Sequence, residues 1–99
     1  MKQTTNHRGS RTQVRRSNDL AFERRVRKLT RKQVHRITGI KASTLASYER
    51  GKRLPSLTAA LRLQILYRGQ IASFYQPLYA QLGAEIRESE ARVMERRLT

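Results

Sequence analysis

The chain has 99 residues and a formal net charge of +15, because 22 Lys and Arg residues outnumber seven Asp and Glu residues. This length suits one domain with a modest core, which oligomerisation often stabilises further. The absence of cysteine excludes disulfides, thiolate metal sites and cysteine nucleophiles, and it fits a cytoplasmic protein. No apolar run approaches the ~20 residues of a membrane span, and the N-terminus has no apolar signal segment.

The positive charge is concentrated in the first two thirds of the chain. Residues 1–28 hold nine Lys/Arg and two acids, and residues 29–68 hold nine Lys/Arg and one acid. Residues 69–99 are balanced, with four Arg and four Glu. The basic part uses its apolar residues for a plausible core instead of a membrane-inserting face. The distribution therefore indicates a nucleic acid and no membrane as the partner.

Residues 1–17 are polar and basic, and too few of them are apolar to offset the entropy of ordering. We therefore predict a disordered arm. It either follows the backbone or minor groove of DNA or is a solvated tail that only adds electrostatic attraction.

Two short helices are predicted next. The first extends from Leu20 to about Lys28, with Asn18 or Asp19 as its cap. Its apolar side is formed by Leu20, Phe22, Val26 and Leu29. The second begins at Thr30, which has capping-box spacing with Gln33, and it ends at Gly39. We expect Val34 and Ile37 to face inward on it.

A third helix is predicted from Ala42 to Arg50, with Leu45 and Tyr48 inward and Gly51 at its end. A basic loop then leads to Pro55. Ser56 caps a fourth helix that ends near Tyr67. Its predicted apolar positions are Leu57, Ala60, Leu61, Leu63 and Ile65.

The C-terminal third contains one apolar helical stripe. The stripe consists of Ile71, Phe74, Tyr75, Leu78, Tyr79, Leu82 and Ile86. Pro77 either kinks one long helix or lies in the first turn of a new helix that starts near Gln76. The stripe either covers the core of the preceding helices or forms a homodimer interface. We favour the interface, because a core of this size needs little more cover and tyrosines suit interfaces.

Four motifs follow one another along the chain: L-T-R at 29–31, T-G-I at 38–40, S-T-L-x-x-Y-E-R-G at 43–51 and P-S-L-x-x-A-L-R-L at 55–63. In this order and spacing they resemble the helix-turn-helix of the Cro/C1-type (XRE) transcription regulators, over roughly residues 20–68. A small basic member without a ligand domain resembles regulators of phages or mobile elements.

This resemblance implies that the helix at 31–38 crosses the DNA backbone and that the helix at 42–50 lies in the major groove. It implies base contacts at Ala42, Ser43 and Ser47, with Lys41, Thr44 and Ala46 alongside. It also implies a phosphate contact for Arg31 and a mostly structural role for Glu49. The family usually has alanine where His35 stands, so we expect His35 to be packed or exposed at an edge.

The chemistry of the side chains is consistent with this layout. Long basic side chains surround the third helix and suit phosphates or guanine edges. We therefore add Arg50 to the base contacts and assign phosphate contacts to Lys32, Lys52 and Arg53, beside the one that the resemblance implies for Arg31. Lys41 replaces the usual small N-cap residue, and its charge opposes the helix dipole unless a phosphate is nearby.

The predicted fold is all-α: a compact bundle of about five helices containing a helix-turn-helix, with the basic arm before it and a helical extension after it. The predicted domains are 1–17, 18–68 and 69–99. The predicted function is a regulator that binds double-stranded DNA sequence-specifically, as a dimer on an inverted repeat, acting as a repressor or an activator.

Two alternatives remain open. One is an antitoxin-type protein whose residues 69–99 bind a partner protein, and the other is a non-specific architectural DNA binder. An enzyme is not expected, since His7 and His35 make neither an acid–base pair nor a metal site. No cofactor is expected.

Overall fold

The computed structural model describes residues 17–98, and every regular element in that part of the chain is an α-helix. The helices are α1 Leu20–Val26, α2 Arg31–Thr38, α3 Ala42–Glu49, α4 Leu57–Tyr67, α5 Ile71–Phe74 and α6 Gln76–Leu98. The predicted all-α class is confirmed. The predicted arm, apart from Ser17, lies outside the described residues. The C-terminal part forms two helices, because the backbone leaves the helical region at Tyr75 (φ −125°, ψ 48°).

The starts of the helices follow the predicted caps. Thr30 Oγ1 accepts a hydrogen bond from the Gln33 amide at 3.1 Å, and Gln33 Oε1 accepts one from the Thr30 amide at 2.8 Å. Ser56 Oγ accepts from the Ala59 amide at 3.1 Å. At α1 the side chain that acts is Asn18, whose Oδ1 accepts from the Leu20 amide at 2.9 Å. Its Nδ2 also donates to the Tyr48 carbonyl at 2.9 Å, which ties the start of α1 to α3.

The turn between α2 and α3 is held by main-chain and side-chain hydrogen bonds. Gly39 has φ +83°, and its amide donates to the His35 carbonyl at 2.7 Å. Thr38 Oγ1 donates to the Val34 carbonyl at 2.7 Å and accepts from the Ile40 amide at 3.1 Å. Arg62 of α4 donates to the Thr38 carbonyl at 3.0 Å. The angle between the two helices is thus set locally and then fastened to α4.

One hydrophobic core contains residues from all of the helices α1 to α5 and from the junction between α5 and α6. Its buried members are Leu20, Val34, Ile40, Leu45, Tyr48, Ala59, Leu63, Tyr67, Phe74 and Tyr75. The rings of Tyr67 and Phe74 meet edge to face at 6.0 Å, and the Asp19 amide donates to the Phe74 carbonyl at 2.9 Å. The division into domains at residue 69 remains a prediction, but the segment after it contributes Phe74 and Tyr75 to this core.

The inward faces of three helices differ from expectation. Ile37 of α2 is 57% exposed, and Leu57 and Ile65 of α4 are each 76% exposed. The buried face of α4 is formed by Ala59, Ala60, Leu63 and Tyr67. Because α4 has apolar residues on two sides, its periodicity could not decide which side packs. Phe22 and Val26 of α1 are also exposed, at 58% and 54%.

Pro77 is the second residue of α6. This confirms the alternative in which a new helix starts near Gln76. A proline in the first turn removes only an amide that has no partner within the helix, so it does not disturb the helix that follows.

A single buried carboxylate joins the first three helices. The Glu49 side chain is only 2% exposed, and Arg24 contacts both of its oxygens, with Nε at 2.7 Å and Nη2 at 3.1 Å. Arg31 Nε binds Oε1 at 3.0 Å. Arg24 Nη1 also donates to the Leu29 carbonyl at 3.0 Å. Hydrogen bonding to Glu49 raises the pKa of Arg24. We call this group the Glu49 clamp; it fixes α3 against α1 and α2.

Glu49→Gln is expected to lower the free energy of unfolding by about 3 kcal/mol, because it leaves the poorly exposed Arg24 without its counter-ion. The control is Glu88→Gln, which removes an exposed partner of Arg92 and is expected to cost less than about 1 kcal/mol. Urea unfolding followed by circular dichroism measures both. Equal losses in the two variants would contradict a structural role for the clamp.

The buried tyrosines make stability dependent on alkaline pH. Burial raises the pKa of Tyr67 to about 12, with a further contribution from the negative charge of Glu49. Burial also raises the pKa of Tyr75 to about 12. Unfolded tyrosine has a pKa of about 10, so the unfolded chain loses these protons first. The free energy of unfolding is therefore expected to fall as the pH rises from about 10 to about 12.

Phenylalanine at both positions is expected to flatten this fall. It should cost little stability at neutral pH, because neither hydroxyl has a hydrogen-bond partner among the described residues. Unfolding curves measured at a series of pH values, together with phenolate absorbance, provide the test. An unchanged slope in the double variant would assign the alkaline loss to other groups.

Candidate nucleic-acid interface

Helix α3 has one face in the core and one face in solvent. Leu45 and Tyr48 anchor it, at 0% and 5% exposure. On the other side Ser43 is exposed, while Ala42, Thr44 and Ser47 are half-buried. The accessible face thus carries only short side chains, which permits close approach of another molecule to the helix.

The predicted base-contacting residues lie along this face, with Lys41 and Arg50 exposed at its two ends. Ala46 differs from the others, because it is only 9% exposed and belongs to the inner side of the helix. The Lys41 side chain makes no capping hydrogen bond, so the first turn of α3 has no cap from its N-cap residue. The contacts of these residues with DNA remain predictions.

The C-terminal end of α3 positions two of the predicted phosphate contacts. Gly51 has φ +76°, and its amide donates to the Tyr48 carbonyl at 3.0 Å. The next amide, of Lys52, donates to the Ser47 carbonyl at 2.9 Å. This pair of bonds is a Schellman motif, which turns the chain sharply after the helix. Lys52 and Arg53 are both exposed directly beyond it.

An open basic groove lies between α3 and the junction of α1 with α2. It is lined by Arg24, Arg25, Lys28, Leu29, Thr30, Arg31, Lys32, Ala42, Ser43 and Ala46. Glu49 offsets part of the charge of Arg24 and Arg31. Arg25, Lys28 and Lys32 form no ion pair with any residue in the described part of the chain. The groove therefore has the charge to hold an anion beside Ser43.

The structure brings two predicted phosphate contacts, Arg31 and Lys32, into this groove. Arg31 is bound to Glu49 through Nε, yet its side chain remains 38% exposed. Arg25 of α1 and Lys28, two residues after the end of α1, also line this groove. The role of Arg24 was missed, because nothing in the sequence links it to a glutamate 25 positions away.

Lys28 occupies a conformation that glycine usually adopts. Its φ is +56°, and it ends α1 in a second Schellman motif. In that motif the Lys28 amide donates to the Arg25 carbonyl at 2.9 Å and the Leu29 amide donates to the Arg24 carbonyl at 3.2 Å. A left-handed lysine costs about 1 kcal/mol relative to an unstrained residue. The residue thus destabilises the turn while it adds a charge to the groove.

His35 is exposed, as one of the two expected environments allowed. The described residues contain no cluster of side chains that could hold a metal ion. None of the helices among them is long and apolar enough to cross a membrane.

The chain matches the helix-turn-helix family model over residues 23–72. It belongs to the Cro/C1-type helix-turn-helix family. The matched region extends from α1 to the start of α5 and contains α3, the basic groove and the Glu49 clamp. Comparison with curated proteins and with solved structures gave no match. The family consists of DNA-binding regulators of transcription, so the chain is a DNA-binding regulator of this type.

Lys28→Gly is expected to separate stability from DNA binding. The free energy of unfolding should rise by about 1 kcal/mol, because glycine adopts this φ without strain. If Lys28 contacts a phosphate, affinity for duplex DNA should fall and the slope of log K against log salt should decrease by about 1. Chemical unfolding and fluorescence anisotropy at several salt concentrations measure the two effects.

Arg68→Gly is the matched control. Arg68 also has a positive φ, +55°, at the end of α4, but it lines a separate cleft beside Ile37 and Ile65. This variant loses the same charge and the same strain. Its free energy of unfolding should rise by a similar amount, and its slope of log K against log salt should stay larger than that of Lys28→Gly. Identical slopes would argue against a specific role for the groove.

Proposed function

We propose that the protein is a sequence-specific regulator that places α3 in the major groove of double-stranded DNA and binds an inverted repeat as a dimer. The observation that carries this proposal is the construction of α3. The Glu49 clamp and two glycine turns hold the helix rigidly, and its accessible face of short polar side chains has cations at both ends.

Few side chains of α3 can contact the bases directly. Ser43, Thr44 and Ser47 can donate and accept hydrogen bonds, but short hydroxyls discriminate weakly between bases. Lys41 and Arg50 are long enough to reach guanine O6 and N7 from the ends of the helix. The remaining specificity would come from the shape and deformability of the DNA.

Phosphate contacts frame the helix on two sides. The basic groove lies beside the first turn of α3, and Lys52 and Arg53 follow its last turn. Charges on both sides suit the two strands that border a major groove. They would fix the register of α3, and they predict affinity that falls steeply with salt.

The proposed dimer surface is narrower than the apolar stripe of the sequence. Phe74 and Tyr75 are 4% and 6% exposed inside the monomer core, so they have little surface for a second copy. Ile71 and Leu78 pack against that core. The accessible part of the stripe consists of Tyr79, Leu82 and Ile86, which are 66%, 44% and 65% exposed.

The exposed part of α6 also keeps the antitoxin alternative open, because a different protein could cover the same apolar residues. Co-purification with a small second protein would favour that alternative. A non-specific architectural binder would bind random DNA nearly as well as any selected site.

Selection of bound sites from random duplexes tests the proposal. A regulator should recover an inverted repeat with half-sites about 34 Å apart, and it should prefer that site to random DNA by at least ~10³-fold. Recovery of no consensus would favour the architectural binder.

Ser43→Glu and Ser47→Glu are expected to abolish this preference, because a carboxylate on the accessible face of α3 repels the phosphates and cannot donate a hydrogen bond to the acceptor atoms of the bases. Ala84→Glu adds the same charge to an exposed position of α6 and is expected to retain the preference. Circular dichroism checks the folding of each variant. Unchanged affinity of both serine variants for the selected site would refute the placement of α3 in the groove.

A further inference from the structure

Helix α6 carries a seam with the spacing of a coiled coil. Tyr79, Leu82, Ile86, Ser89 and Val93 are separated by 3, 4, 3 and 4 residues. This alternation is the a and d pattern of a heptad, which keeps one face of a helix turned towards a partner helix. We call these five residues the α6 seam. The apolar stripe of the sequence ended at Ile86, whereas the seam continues for another two turns of the helix.

The seam is accessible along its length. Tyr79, Ile86 and Val93 are 66%, 65% and 56% exposed, and Leu82 is 44% exposed. Within α6, only Leu78 is among the residues packed against the core. The described part of the chain therefore leaves most of this seam exposed, although Tyr79 and Leu82 also line a cleft with Leu54 and Pro55.

The charges beside the seam disfavour a parallel pair of two α6 helices. With Tyr79, Ile86 and Val93 at a, the g positions are Glu85 and Arg92, and the e positions include Glu90 and Arg97. In a parallel pair each g residue faces the e residue five positions later in the other copy. That arrangement sets Glu85 against Glu90 and Arg92 against Arg97, so every such contact joins like charges.

The antiparallel orientation reverses the sign of these contacts. There g faces g, and Glu85 of each copy meets Arg92 of the other. The seam then forms the layers Ile86 with Ser89 and Leu82 with Val93, and Tyr79 lies opposite Arg96, which is the d residue after the seam. The e residue Glu90 faces Gly83, which carries no charge. The Arg96 guanidinium can then cover the Tyr79 ring in a cation–π contact.

We propose that α6 pairs antiparallel with α6 of a second copy, in the register that sets Ile86 opposite Ser89. This deepens the dimer of the proposed function, on which it rests, by naming its contact. The overlap from residue 79 to residue 96 is about 27 Å long at 1.5 Å per residue. It places the two helix-turn-helix units at opposite ends of the paired helices.

Charge reversal tests the orientation, because the two orientations predict opposite changes in the dimer dissociation constant. In the antiparallel pair, E85R sets the new cation against Arg92 at two symmetric contacts, and R92E creates two contacts between acids. Each is expected to raise the dimer dissociation constant about 10- to 30-fold, and the double variant E85R/R92E should restore it. In a parallel pair, both single variants would tighten the dimer instead.

The matched control is E95R, which makes the same charge change at an exposed position away from the seam. Its dissociation constant should equal that of the native chain. Sedimentation equilibrium measures the constants, and circular dichroism confirms that α6 remains helical in each variant.

Cross-linking gives an independent readout, because the native chain contains no cysteine. In the antiparallel register a mixture of L82C and V93C chains should form a disulfide between different variants, and neither variant alone should. A disulfide between two V93C chains indicates the parallel pair and overturns the proposal. A native chain that remains monomeric also overturns it and leaves the seam to another protein. Both experiments are done without DNA, so failure to recover an inverted repeat in site selection would count against the proposed function alone.

Discussion

The arrangement of the DNA-binding half depends on one carboxylate held by two arginines. Glu49 lies at the end of α3 with 2% of its side chain exposed, and it accepts hydrogen bonds from Arg24 of α1 and Arg31 of α2. Each arginine alone would be a cation near the surface, and Glu49 alone would be a buried charge without compensation. Together they satisfy one another and fix α3 relative to the two helices that line the basic groove beside it.

The clamp also explains how a strongly basic surface is tolerated. Arg24 and Arg31 share one negative charge, whereas Arg25, Lys28 and Lys32 have no ion pair among the described residues and raise the potential of the groove. The backbone of Lys28 is also strained, since it takes a left-handed conformation that glycine would adopt with less strain. The uncompensated positive charge and the backbone strain both lie beside α3, and both lower the stability of the fold. Residues that destabilise the free protein in this way are expected where a polyanion is bound.

Prediction from sequence succeeded where the signal is local. The capping box of Thr30 and Gln33, the glycine turns at Gly39 and Gly51 and the helix start at Gln76 each depend on residues within one or two turns. It failed where the sequence allowed two ways of packing a helix. Helix α4 has apolar residues on both sides, and the core selected Ala59, Ala60, Leu63 and Tyr67 over Leu57 and Ile65. The left-handed turn at Lys28 was not predicted, because no glycine marks it.

The sequence by itself determined the all-α class, the order and approximate ends of the helices, the family and the segment that forms α3. These follow from capping, periodicity and motif spacing, which act over short distances along the chain. Only the tertiary structure decided that Phe74 and Tyr75 complete the core, that Arg24 and Arg31 meet on Glu49, and that Arg25 and Lys28 share a groove with Lys32. Those contacts join residues far apart in the chain, and their partners are selected by which surfaces remain to be buried and which charges remain to be compensated after the helices pack.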